Sequence, residues 1–187
     1  QSTVLSQAYV VDTTAPDVAS IALSSSSLKA GSTASLTIAF SEKVGNFDAS
    51  DLSVENGTLS ALSSTDGGKT WSATFTPTSD LEDATNVITV DKTGLTDLAG
   101  NAGTGTSSTS NYQIDTKRPT AVISLSDTDL KIGETAVATF TFPEAITGFT
   151  NADLTLSNGK LSSVSSTDGG ITWTATLTPT ANLEDAT

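Results

Sequence analysis

The stretch SSTDGGKTWSATFTPTSDLEDAT, Ser63 to Thr85, returns as SSTDGGITWTATLTPTANLEDAT, Ser165 to Thr187, with 18 of 23 letters unchanged and a period of 102 residues. The duplication continues upstream. LKAG (Leu28 to Gly31) answers LKIG (Leu130 to Gly133), IAFSEKVGNF (Ile38 to Phe47) answers FTFPEAITGF (Phe140 to Phe149), and DTTAP (Asp12 to Pro16) answers DTKRP (Asp115 to Pro119). A period near 100 residues is far longer than a solenoid unit and matches one β-sandwich domain, so each repeat is expected to fold as its own domain.

The phase of the repeat sets the boundaries. Tyr9 to Asp12 corresponds to Tyr112 to Asp115, so residues 1–11 read as the last strand of a preceding repeat and 12–115 as a complete repeat. Residues 116–187 read as a second repeat that stops at the counterpart of Thr85, without counterparts of Asn86 to Ile114 and hence without its last two strands.

Alternation and turn residues predict about seven strands in the complete repeat: 18–23, 33–40, 51–55, 58–64, 69–76, 86–91 and 105–114. Ala34, Leu36, Ile38 and Phe40 share one face, as do Trp71, Ala73 and Phe75. SSSSLKAG, Asn56-Gly57, Asp66-Gly67-Gly68 and SDLEDA read as turns or loops. Many short strands and no segment of helical period predict an all-β fold of tandem immunoglobulin-like sandwiches.

Composition narrows the function. The chain has no Cys, His or Met, so neither disulfides nor thiolates operate, and both the commonest general base and the commonest transition-metal ligand are missing. The missing initiator Met predicts a processed or excised piece of something longer. No apolar run approaches the ~20 residues that span a bilayer, which predicts a soluble fragment with no membrane insertion. Twenty-one acids against eight bases give a net charge of -13, which argues against nucleic acid and anionic lipid as partners and favours hard cations.

Antiparallel alternation collects the loops at two ends of the sandwich. One end gathers the Asp12 linker, the segment after the second predicted strand with Glu42, the Asp66 turn, and TDLAGNAG (Thr96 to Gly103) with Asp97 and Asn101. The opposite end carries Asp80, Asp83 and the outgoing Asp115. A seam is therefore expected between the first repeat and the Glu144 and Asp153 end of the second, with carboxylates that repel unless a cation such as Ca²⁺ bridges them. The same Asp and Gly residues are also ordinary turn formers, and both roles stay open on sequence.

DTTAP, AFSE, STDGGxTW, LEDATN and DLAGN, in this order and register, resemble the bacterial Ig-like repeats of giant secreted adhesins, including the RTX-type adhesins. The resemblance covers almost the whole chain. It implies an extracellular stalk on a bacterial cell surface, supporting adhesion or biofilm formation, in which Ca²⁺ stiffens the linkers between neighbouring repeats. Carried over residue by residue, it implies ligand roles for Asp12 and Asp115 in the linkers, Glu42 and Glu144 after the second strand, and Asp97 and Asn101 in DLAGN.

Three other functions compete. STDGGKTW also fits the turn pattern of sialidase propellers, but a chain with one Arg, two Tyr and no His lacks that chemistry, and no enzyme is expected. A glycan-binding module needs exposed aromatic platforms, whereas Trp71 and Trp173 fall in the core phase. Residues 1–11 also resemble a last strand, so donation of that strand to another copy is the third alternative.

Overall fold

A computed structural model describes residues 10–184 of the chain. They belong to two compact units, one ending at Lys117 and the other beginning at Arg118. Most of the expected donor strand, residues 1–11, lies outside the described residues; Val10 and Val11 are exposed and belong to no strand.

The first unit contains β1 (Val18–Leu23), β2 (Ser27–Lys29), β3 (Ala34–Phe40), β4 (Leu52–Val54), β5 (Gly57–Leu59), β6 (Thr70–Pro77), β7 (Glu82–Asn86), β8 (Ile88–Asp91), β9 (Thr106–Ser108) and β10 (Tyr112–Asp115). One layer is the antiparallel sheet β1-β3-β6-β5, and the other is made of two ladders, β2-β10-β7 and β4-β8-β9. Period-2 alternation puts Leu36, Ile38 and Phe40 of β3 and Phe75 of β6 inward. They form one core cluster with Ile88, Val90, Tyr112 and Ile114 of the other layer, every one of them at most 1 % exposed. Each such side chain contributes about 1.5–3 kcal/mol of hydrophobic stabilisation, and Phe75 adds an edge-to-face contact with Tyr112 at 5.4 Å between centroids.

Ten strands rather than seven arise for definite reasons. The predicted strand 86–91 begins earlier and breaks at Val87 into β7 and β8, while 105–114 breaks over Thr109–Asn111 into β9 and β10. Side chains repair the interrupted ladders: Asn111 Oδ1 accepts from Asn86 N at 2.8 Å and Thr109 Oγ1 from Ile88 N at 3.1 Å. The run SSSSLKAG, expected to be a turn, contains β2, because the lone apolar Leu28 is buried and the strand pairs in parallel with distant β10. SDLEDA likewise contributes the start of β7.

The second unit contains β11 (Val122–Leu125), β12 (Ala136–Thr141), β13 (Gly159–Leu161), β14 (Ser165–Ser166) and β15 (Thr172–Pro179). Its sheet β11-β12-β15-β13, with β14 on β15, repeats β1-β3-β6-β5. Among the described residues no strand answers β2 or β4. The reason is hydrogen bonding: β2 and β4 pair only with β10 and β8, whose counterparts are missing, so Leu130 and Leu154–Leu156 form no strand. The core cluster shrinks to Ala138, Phe140 and Phe142 with partly buried neighbours, and Ile123 is 60 % exposed.

Candidate metal centre

Three chain segments meet at one end of the first unit. The hairpin between β8 and β9 bends at Gly100, whose φ of +91° is a glycine conformation, and closes through Asp97 N to Asn101 O at 3.2 Å and Gly103 N to Leu95 O at 2.8 Å. The segment after β3 runs alongside it, with Val44 bridged to Asp97 and Gly45 N donating to Thr96 O at 3.2 Å. Asn46 locks the two together, its Nδ2 donating to Gly94 O at 2.9 Å and its Oδ1 accepting from Thr96 N at 3.0 Å. The incoming linker completes the site: Asn101 Nδ2 donates both to Asp12 O at 3.1 Å and to Asp97 Oδ2 at 2.7 Å.

One carboxylate oxygen from each of Asp12, Glu42 and Asp97 consequently lies within 4.8 Å of the others. Asp97 is 5 % exposed, Glu42 half-buried and Asp12 exposed. Lys92–Asp17, Nζ to Oδ1 at 2.6 Å, is the one ion pair among the described residues, so none of the three carboxylates has a protein counter-ion. Oxygens this close together are within reach of a single hard cation such as Ca²⁺, which holds its ligands at about 2.3–2.6 Å. An all-oxygen donor set disfavours Zn²⁺ and other metals that prefer imidazole or thiolate.

The family model for the bacterial Ig-like domain matches the chain twice, over residues 12–114 and 115–187. The chain belongs to the bacterial Ig-like domain family. No curated protein matches it. Bacterial Ig-like domains are typically non-enzymatic.

In this pair of bacterial Ig-like domains, the other expected ligands are not members of the three-carboxylate group. Asp80 is exposed at a left-handed turn position with φ +58°. Asp83 accepts from Asn56 Nδ2 at 2.9 Å through one oxygen and from Thr85 N at 2.9 Å through the other. Asp115 ends β10 and is exposed. Glu144 is exposed in the second unit, where Asp153 caps a short 3-10 turn by accepting from Thr150 N at 2.9 Å. Each unit is compact by itself, and the acids expected at the seam divide between them: Asp80, Asp83 and Asp115 in the first, Glu144 and Asp153 in the second. Asn101, expected as a ligand, presents its amide donors to Asp12 and Asp97. Asn46 was not singled out by sequence, and Gly148 stands at its place in the second repeat.

The electrostatics follow the geometry. Burial pushes the Glu42 carboxyl up, and the charges of Asp12 and Asp97 add to the rise. Burial also pushes Asp97 up, but hydrogen bonds from the Asn101 side chain and from the backbone of Asn101, Gly100 and Ala99 outweigh it and leave Asp97 lowered. In the duplicated turn, the Thr70 amide leads the hydrogen bonds that hold Asp66 far below the carboxylate range, and the Thr172 amide leads those that hold Asp168 at about 2.

A pH profile is expected to separate these groups. Asp66 and Asp168 contribute stability that is present above about pH 4 and is lost as pH falls through their depressed values. Glu42 has the opposite sign: its contribution is present in acid and lost as pH rises through its raised value, when the three carboxylates repel. In EGTA, Glu42→Gln should therefore raise the melting temperature at pH 7 and leave it unchanged near pH 3, as differential scanning calorimetry can check. Equal effects at both pH values would remove the charge explanation.

Proposed function

We propose that this chain is an extender module of a bacterial cell-surface adhesin, stiffened by Ca²⁺ where a linker enters a domain. A single observation carries the reading: a linker carboxylate, Asp12, is gathered with two domain carboxylates, Glu42 and Asp97, without a protein counter-ion. A cation held by all three ties the incoming chain to the domain it enters and removes a mutual repulsion that otherwise favours an open linker. Asp12, Glu42 and Asp97 would hold the ion, and the hydrogen bonds of Asn101 orient two of those segments. The packing also weakens a glycan-binding reading, since Trp71 packs edge-on against Phe47 at 5.4 Å and donates through Nε1 to Gly68 O at 3.1 Å, which engages its ring and its N–H within the fold.

The extracellular location, the adhesive parent and a role in biofilm formation belong to the same proposal. The decisive measurement is small-angle scattering paired with calorimetry in EGTA and in millimolar calcium. Calcium should increase the maximum dimension and raise the melting temperature in a concentration-dependent way. Unchanged values of both would eliminate the calcium stalk.

A further inference from the structure

The outgoing linker is held by contacts that need no ion. Thr116 follows β10 and is 4 % exposed, an unusual state for a linker threonine. Its N–H donates to Leu81 O at 2.8 Å, its Oγ1 donates to Thr78 O at 2.6 Å, and the same Oγ1 accepts from Leu81 N at 3.0 Å. The hydroxyl thus uses both its donor and an acceptor site on the loop joining β6 to β7, and that loop in turn depends on Asp80 at φ +58°.

The receiving loop is duplicated with its geometry. Thr76-Pro77-Thr78-Ser79-Asp80-Leu81 answers Thr178-Pro179-Thr180-Ala181-Asn182-Leu183, and Asn182 takes φ +57° where Asp80 takes +58°. Asp and Asn are the side chains that most readily adopt this left-handed conformation, and their recurrence at the same point gives both loops the same turn. In the second unit this loop lines an open groove of about 350 Å³ with Leu130 to Glu134, the counterpart of the β2 region.

We propose that Thr116 is a positioning residue, a latch by which the loop Thr78–Leu81 seizes the outgoing linker, aims Asp115 and confines the pivot between repeats to the residues after Thr116. The loop Thr180–Leu183 is the same receptor, shaped for an extended segment bearing an Asp-Thr pair. The latch is distinct from the calcium site at the opposite end of the first unit and operates in its absence.

The test is hydrogen exchange and trypsin digestion of the whole chain in EGTA, comparing wild type with Thr116→Val and Thr116→Ser. Valine keeps the buried shape and removes the hydroxyl, leaving the Leu81 N–H without its acceptor. Exchange at Leu81 and Thr116, and cleavage of the Lys117–Arg118 bond, should accelerate about 10- to 100-fold, while Ile38 in the core keeps its wild-type exchange rate. Serine should restore most of the protection. Wild-type exchange and cleavage in Thr116→Val would overturn the latch, and so would equal acceleration at Ile38, which would make Thr116 an ordinary stabilising residue. Because calcium is excluded throughout, failure here leaves the metal site untouched, and failure of the calcium titration leaves the latch standing.

Discussion

Asp97→Asn is expected to abolish the calcium response of the chain. At the proposed site, free calcium at 100 times its Kd should stabilise the folded state by about 2.7 kcal/mol. For a unit of this size that is a rise in melting temperature on the order of 10 °C. In the variant the titration should be flat at the same concentrations, because the most buried of the three carboxylates has lost its charge. Asp97 also accepts from Asn101 N at 2.8 Å and Asn101 Nδ2 at 2.7 Å, and an amide has one oxygen to offer where the carboxylate has two. The hairpin therefore loosens as the repulsion with Asp12 and Glu42 is relieved, and these opposing effects should leave the melting temperature in EGTA within a few degrees of wild type. Isothermal calorimetry and thermal scans with and without calcium separate the two. Retained calcium binding in Asp97→Asn would place the ion elsewhere, whereas loss of binding in Asp83→Asn but not in Asp97→Asn would move it to the opposite end of the unit.

The cluster was legible in the sequence because its members lie in segments whose letters repeat or carry turn chemistry, and because alternating strand direction assigns loops to ends. Glu42 lies 30 residues after Asp12 and Asp97 a further 55 along the chain, yet a strand count alone puts them together. The same count is blind to what an acid does locally. Asp83 and Asp153 look like candidate ligands in the sequence, but one accepts from Asn56 and Thr85 and the other caps a turn, as the hydrogen bonds alone reveal. Long-range pairing was the other gap. Leu28 sits in a run of serines whose local preference is a turn, and it becomes β2 through a parallel ladder to Ile114, 86 residues away. Local pattern carries no trace of such a partner. The breaks in β7–β8 and β9–β10 were hidden for a related reason, since the side chains of Asn111 and Thr109 accept the backbone bonds that a continuous ladder would have made.

Gly68→Ala should be the most damaging single substitution in the duplicated turn, lowering the stability of the first unit by about 2–5 kcal/mol. Two costs combine: about 1–2 kcal/mol for an L-residue in the left-handed region and about 1–3 kcal/mol for overpacking. The structure supplies both, since Gly68 has φ +98° and a Cβ there would lie 2.5 Å from Val44 O. That obstacle is backbone, and it is held in place because Val44 N donates to Gly68 O at 3.1 Å. Gly67 is the control. Its φ is +77°, but a Cβ would meet only the movable end of Lys43, at 3.1 Å, so Gly67→Ala should incur the conformational cost alone. Urea denaturation monitored by Trp71 fluorescence in a Trp173→Phe background distinguishes them, and equal midpoints for the two variants would refute the steric argument. The second copy has the same construction: Gly170 at φ +100° faces Ile146 O, and Ile146 N donates to Gly170 O at 3.0 Å. Val44 lies two residues beyond Glu42 and is bridged to Asp97, so displacing it also pulls the carboxylates apart. Gly68→Ala should therefore weaken calcium binding although it touches none of the three, which gives the repeated STDGG turn its part in the site: it holds the segment after β3 against the hairpin that carries Asp97.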